Sequence, residues 1–341
     1  MKDFKPKYSI SNKLLINIKE IGLLTGELNS KVFPSSVLVK LEKDARALSA
    51  YSSTSIEGNP LPLTDVKKIL KSKPENIRDS EREVLNYNTA LILLDERINK
   101  ENNIKISDKI ICDIQQVVVK GLLLREKGYR AEPVVVNDPR TRQTVYLPPD
   151  HQDVPSLMTN LIEFINSNNK NIDPLILSGI FHKQFVTIHP FVDGNGRTAR
   201  LITKLLLANM GLNTFHLFSF ENYYNNNISK YFKNVGVVGD YYDIKNNLDF
   251  TFWLEYFTEG IVDELKRVKK VLPSYQPRLE DHHKKILKYI EKNGSINTVE
   301  YEKISGRKKA TRIIDFKFLI DLGLIERKEQ GKASYYILKT N

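Results

Sequence analysis

The chain has 341 residues, 41% hydrophobic and 27% charged, with a net charge of +11. A single cysteine, Cys112, excludes an intrachain disulfide, and no apolar run approaches the ~20 residues of a membrane-spanning helix. The opening MKDFKPKYSISNKLLIN lacks an apolar stretch of signal-peptide length, so the expectation is a cytoplasmic protein with no membrane partner.

The length suggests about two domains. Helical patterning dominates. SSVLVKLEKDARALSAYSSTSIE, from 35 to 57, sets Leu38, Leu41, Ala45 and Leu48 at helical spacing and stops at Gly58, Asn59 and Pro60. Further helices are expected over 80–99, 154–168, 173–189 and 197–210. Between them, PVVVNDPRTRQTVYLPP (133–149) reads as a strand pair around a polar, Pro-containing turn. A lone hairpin is marginal, so it must pack on helices or act as a flap. VLPSYQPRLE (271–280) reads as a linker. Beyond it, 282–294, 297–306 and 307–326 read as three helices, and KEQGKASYYIL as a β-wing, the pattern of a winged helix-turn-helix. The expected fold is therefore mainly α. Its regions are 1–110, 111–270, the linker 271–280 and the unit 281–341. That last unit holds 14 Lys and Arg against 8 Asp and Glu, which suggests nucleic acid or an acidic partner unless the charge only serves solubility.

The densest chemistry lies in HPFVDGNGRTAR, residues 189–200. Pro190 disfavours helix at His189, leaving an imidazole free to act as general base near neutrality. Asp193 is a hard oxygen ligand suited to Mg²⁺ where phosphates supply the other ligands. Gly194, Asn195 and Gly196 allow backbone N–H groups to converge on an anion, and a helix starting near Arg197 adds its N-terminal dipole. Arg197 and Arg200, three apart, share a helix face and can each clamp a phosphate. A capped helix with solvated arginines explains any one of these residues; the whole set in this order describes a phosphate site beside a proton acceptor.

The stretch resembles the HPFx[DE]GNGRxxR signature of the Fic family at every defined position. GYR at 128–130, the hairpin over 134–147 and HKQFVTIHPF at 182–191 are similar to the family's flap region and motif approach, and the resemblance covers roughly 20–270. It implies a Fic-type helical core with one β-hairpin flap, and transfer of AMP from ATP to a Ser, Thr or Tyr hydroxyl of a target protein, or of the chain itself. By motif position His189 would be the base and Asp193 would hold Mg²⁺. Gly194, Asn195 and Gly196 would cradle the phosphates, with Thr198 beside them; Arg197 would steady the β-phosphate and Arg200 the γ-phosphate. Members of this kind can also dimerise, and some remove AMP or transfer other phosphate-containing groups.

SSTSIEGNP (52–60) resembles the family's inhibitory motif, here Ser53, Glu57 and Gly58. An anion in the last turn of a helix is disfavoured by the dipole, which suggests a compensating partner. The resemblance names Arg200, so that Glu57 would occupy the place of the γ-phosphate. Tyr231 matches an aromatic position near the adenosine in the family, and equally reads as a core tyrosine. His182 is seven residues from His189, without the spacing that sets two His on one helix face, and reads as a buried helix histidine. His282 and His283 open a helix after the linker. Arg307, Lys308, Lys309 and Arg312 could meet DNA, or lie on a solvated face of a protein-docking module; the first of these leaves open a DNA-binding regulator with a nucleotide-sensing core.

Overall fold

The computed structural model describes residues 4–31, 33, 35–72, 77–101, 104–122, 128–137, 141, 143–212, 216–272, 279–330 and 333–339. In chain order the first elements are α1 (Asn12–Asn29), α2 (Ser35–Ile56), α3 (Leu63–Ser72), α4 (Asp79–Lys100) and α5 (Asp108–Val118). Then come β1 (Val136–Asn137), β2 (Thr144–Leu147), α6 (Val154–Ser167), α7 (Pro174–Ile188) and α8 (Asn195–Ala208). After these follow α9 (Glu221–Asn225), α10 (Ile228–Val235), β3 (Gly239–Asp240), α11 (Tyr241–Ile244) and α12 (Thr251–Val271). The fold is mainly α, and its contacts form two compact units, 1–26 with 43–271 and 27–42 with 272–341. The first unit runs across residue 110, where the sequence suggested a boundary, because α4 and α5 both pack on α8.

α7 is the central helix of the first unit. Nearly all its side chains are buried, as the PLILSGIF run requires, and a helix apolar on all sides must be enclosed. Asp173 caps its first turn by accepting from Leu175 N at 2.8 Å, with Pro174 at the first helical position. Phe181, Phe185 and Ile188 join Phe191, Ala199, Leu201, Ile202 and Leu205 of the following segment in one core with α4, α5 and α6. Trp253 of α12 closes the other side, its indole N–H donating to Gly179 O at 2.7 Å.

The hairpin differs from expectation in one respect. β1 and β2 pair antiparallel, Val136 opposite Tyr146 and Asn137 opposite Thr144, but β3 adds in parallel alongside β2. A two-residue strand carries no period-2 signature, so the sequence could not announce it. Most of the expected turn, 137–142, lies outside the described residues, as does most of the expected linker.

The second unit contains α13 (Asp281–Asn293), β4 (Ile296–Asn297), α14 (Thr298–Ser305), α15 (Lys309–Asp321), β5 (Ile325–Gln330) and β6 (Ala333–Leu338). Its antiparallel sheet has the order β4-β6-β5. Ile286, Ile290, Ile296, Tyr301, Phe316, Leu319 and Ile325 form its core. The third helix ends at Asp321, and Gly323, at φ +69°, turns the chain so that Ile325 and Glu326 open a strand rather than extend the helix.

Candidate active site

The site is built on the short link between α7 and α8. His189 ends α7 in the left-handed region, at φ 52° and ψ 59°. That conformation is strained for a residue with a Cβ and persists only where its surroundings fix it. Here His189 N donates to Phe185 O at 3.0 Å, and Arg130 Nε donates to His189 O at 2.9 Å. Arg130 N also donates to Pro190 O at 2.9 Å, and its guanidinium reaches the carbonyls of Glu132 and Pro149. Arg130 thus ties the hairpin to the histidine turn. Tyr146 of β2 makes a second tie, donating to Thr187 O at 2.9 Å.

The His189 ring is partly buried, with Nδ1 facing Val186 O at 3.3 Å. A carbonyl only accepts, so Nδ1 carries the proton and Nε2 keeps its lone pair. Burial pushes the imidazole down to about 4, against the Val186 carbonyl and the carboxylates of Glu57 and Asp193, which raise it. His189 is therefore neutral at pH 7 and able to accept a proton.

α8 starts two residues earlier than the sequence suggested. Asn195 and Gly196 lie in its first turn, after Gly194 at φ +80°. Asn195 explains the early start: its Oδ1 accepts from Phe191 N at 2.9 Å and its Nδ2 donates to Phe191 O at 2.7 Å. Its side chain staples the loop, and the helix's free N–H groups open into the site. Gln115 of α5 donates to Asp193 O at 3.2 Å and holds the same loop from the other side.

Arg197 and Arg200 are both buried but meet different partners. Arg197 Nη2 bonds both Asp193 carboxylate oxygens at 2.8 and 2.9 Å. Its Nε and Nη1 have no hydrogen-bond partner among the described residues, although Nη1 lies 3.7 Å from Glu83 Oε1. Thr198 Oγ1 and Gln115 Oε1 are likewise buried without a partner. Buried polar atoms left this way are costly and mark a place where a ligand can supply the missing bonds. The two Arg197 nitrogens and the Thr198 hydroxyl can donate to an anion, Gln115 Oε1 can only accept, and the Asp193 carboxylate is half-exposed, so the donors and the carboxylate fit a phosphate chain with one Mg²⁺.

Arg200 has no free nitrogen. Nε donates to Ser53 Oγ at 2.8 Å, Nη2 to Ser53 O at 2.9 Å and to Glu57 Oε1 at 2.7 Å, and Nη1 to Tyr231 OH at 3.4 Å. Burial alone would lower its pKa; Glu57, Tyr231 and Tyr87 hold it above the usual range instead. Glu57 follows the last residue of α2, with Gly58 at φ +92° ending the helix. Its carboxylate lies so close to α8 that a Cβ on Gly196 would meet Oε1 at 2.1 Å, and only glycine leaves room for it.

The structure brings His189, Asp193, Gly194, Asn195, Gly196, Arg197, Thr198 and Arg200 together and sets Ser53 and Glu57 against Arg200, while Gly58 only ends α2. Tyr231 is 1% exposed and lies in the core, its hydroxyl between Arg200 and His182 Nε2, which is 3.0 Å away. His182 is buried, bonded also to Thr203 Oγ1 at 3.1 Å, and burial pushes its pKa well down. In the second unit, His282 Nε2 and His283 Nε2 lie 3.3 and 3.6 Å from Asp315, which Arg307 pairs with, Nε at 2.7 Å and Nη2 donating at 3.3 Å. Arg130, Gln115, Tyr87 and Glu221 were not singled out as single residues in the sequence. Arg130 alone had a signal, in the GYR triplet.

Residues 105–207 match the model of the Fic/DOC family. Protein adenylyltransferase fic-1 of Caenorhabditis elegans is 29% identical over 185 residues, 52% of this chain and 34% of its own length. Protein adenylyltransferase Fic of Drosophila willistoni is 29% identical over 182 residues, 52% of this chain and 35% of its own. The chain thus spans about a third of the length of these relatives. A Fic family protein from Desulfovibrio desulfuricans G20 superposes with a TM-score of 0.66 at 21% identity, covering 99% of both chains. C. elegans Fic-1 gives 0.59 at 22% identity over 76% of this chain and 73% of its own. Fold and site define a Fic-type helical domain. The similarity to the Fic/DOC family lies in its segment 105–207.

Proposed function

We propose that the chain is a protein adenylyltransferase that moves AMP from ATP to a protein hydroxyl, self-inhibited through Glu57. His189 Nε2 takes the proton of the attacking Ser, Thr or Tyr hydroxyl. The oxygen bonds the α-phosphorus in line, the bond to the bridging oxygen breaks, and pyrophosphate leaves. Arg197, the N–H groups opening α8 and the Thr198 hydroxyl hold the phosphates. Asp193 is the residue that would hold Mg²⁺, which supplies charge neutralisation to the triphosphate. Arg200 takes the γ-phosphate once Glu57 lets it go. The β1–β2 hairpin, tied to the histidine turn by Arg130 and Tyr146, offers a strand edge for the target segment.

One observation carries the reading: a neutral imidazole with a free Nε2 stands beside buried donors that have no partner among the described residues. Incubation with Mg²⁺ and ATP labelled at the α-phosphate tests it. Protein-bound label that is absent with γ-labelled ATP and absent in His189→Ala is expected. Label from the γ-phosphate would mean kinase chemistry, and release of AMP from a pre-labelled protein without fresh transfer would mean removal.

The alternative of a DNA-binding regulator finds less support. In the unit 281–341, which we read as a winged helix, Arg307 pairs with Asp315 and Arg312 with Glu302. Arg327 and Lys328 of β5 pair with Glu329 and Glu326. The exposed face of α15 carries Ile313, Ile314 and Ile320, which suits a protein partner better than a phosphate backbone.

A further inference from the structure

The Glu57–Arg200 contact has a second support one turn back along α2 and one turn on along α8. Ser49 and Ser53 are four apart on α2, and Lys204 and Arg200 are four apart on α8, so each pair shares a helix face. At the first level Ser53 and Glu57 hold Arg200. At the second, Lys204 Nζ donates to Ser49 Oγ at 2.8 Å and to Phe218 O at 2.7 Å. Ser49 Oγ in turn donates to Glu221 Oε2 at 3.0 Å, and Lys204 Nζ lies 3.3 Å from the same oxygen. Tyr87 of α4 donates to Glu221 Oε1 at 2.7 Å. Glu221 is fully buried, as is Ser49, and Lys204 is nearly so.

Glu57 lies past the end of α2, held from behind by the preceding turns and from ahead by Asn59, whose Nδ2 donates to Ser80 O at 2.8 Å and to Glu83 Oε2 at 2.7 Å. Its grip on Arg200 therefore depends on how firmly those turns lie on α8. Ser53 bonds Arg200 itself and also Tyr87, which in turn bonds Glu221, so its anchor leads back to the same cluster. The Ser49–Lys204–Glu221 cluster touches neither Arg200 nor the phosphate site, and it is a buried charge pair with both partners hydrogen-bonded, so removing one member leaves the other uncompensated.

Taking the adenylyltransferase reading as its basis, the geometry points to Glu221 as a positioning residue that, through Ser49 and Lys204, sets how strongly Glu57 competes for Arg200. Glu221 acts on the inhibited state alone. Loosening the cluster frees the end of α2, and Arg200 becomes available to the γ-phosphate without any change at His189 or Asp193.

The test compares Ser49→Ala and Glu221→Gln in the full chain, each with Glu57 and with Glu57→Gly. Self-labelling from α-labelled ATP is expected to rise about fivefold in Ser49→Ala, the worth of one buried hydrogen bond, and further in Glu221→Gln. On the Glu57→Gly background neither is expected to raise it. A purely structural role would lower labelling in both backgrounds, and that result would overturn the inference. Hydrogen exchange of the amides of 50–58 provides a readout that needs no catalysis. These amides are expected to exchange faster in Ser49→Ala while those of α7 stay as they are; unchanged exchange at 50–58 would also overturn the inference. If Glu57→Gly itself fails to label while exchange rises as expected, the adenylyltransferase reading falls and the positioning role stands.

Discussion

Arg197 and Arg200 lie one turn apart on α8, and the two ends of the site they mark are in opposite conditions. Around Arg197, two guanidinium nitrogens, the Thr198 hydroxyl and the Gln115 carbonyl oxygen are buried without hydrogen-bond partners among the described residues. Around Arg200, Ser53, Glu57 and Tyr231 engage all three nitrogens. The first end is prepared for a ligand and the second already holds a substitute for one. A carboxylate on a buried guanidinium is the closest protein equivalent of a phosphate oxygen. On the proposed adenylyltransferase reading, control sits at the far end of the triphosphate, away from the base and the reacting phosphorus.

The comparison can be broken most severely at the open end. With Glu57→Gly as the active reference, His189→Ala is expected to lower AMP transfer by at least about 10²-fold, the range of a lost general base. A smaller loss would remove His189 from the chemistry. Next in size are the arginines. Arg197→Ala is expected to reduce transfer by about tenfold or more whether or not Glu57 is present, as a lost charge-assisted contact does. Arg200→Ala should cost about as much only on the Glu57→Gly background, because in the parent chain Glu57 already occupies it. Equal losses from Arg200→Ala in both backgrounds would mean that the two ends are not differently occupied. Steady-state rates with α-labelled ATP, beside thermal unfolding of each variant, decide this.

The acid limb of the pH profile sharpens the picture at His189. Burial lowers its pKa to about 4, so the neutral base persists below the ordinary histidine range and is lost only as pH falls through that value. The rate of Glu57→Gly is expected to hold down to about pH 5; a midpoint near 6.5 would contradict the burial of the ring. The smallest effect belongs to Tyr231→Phe. Its hydroxyl is a distant partner of Arg200 at 3.4 Å, and transfer should change by about twofold to fivefold. A loss as large as that of Arg200→Ala would give Tyr231 a direct part in nucleotide binding, as the sequence comparison with the family allowed.

What could be read from the chain beforehand follows from how local each cause is. The end of α2 at Gly58 and the limits of α4, α6 and α7 were legible because periodicity and caps are written within a few residues. So was the grouping of residues 189–200 into one candidate site, since they are contiguous. The Asp193–Arg197 pair follows from four-residue spacing, yet the sequence does not say that it forms while a metal ligand role is also open. Arg130 reaches His189 across 59 residues, marked only by the GYR triplet, and Glu221 reaches Tyr87 across 134 with no local pattern to mark it. Arg312 and Arg307 read as a basic surface, but the fold turns both into internal ion pairs, which a charge count cannot foresee.

The central claim is that Glu57 holds the arginine that the γ-phosphate needs. The measurement that tests it most directly is the rate of AMP transfer by the full chain against its Glu57→Gly variant, with Mg²⁺ and saturating α-labelled ATP. A rise of about tenfold or more is expected, the worth of a hydrogen bond to a charged group. An equal or lower rate in Glu57→Gly, with the variant folded, would contradict it.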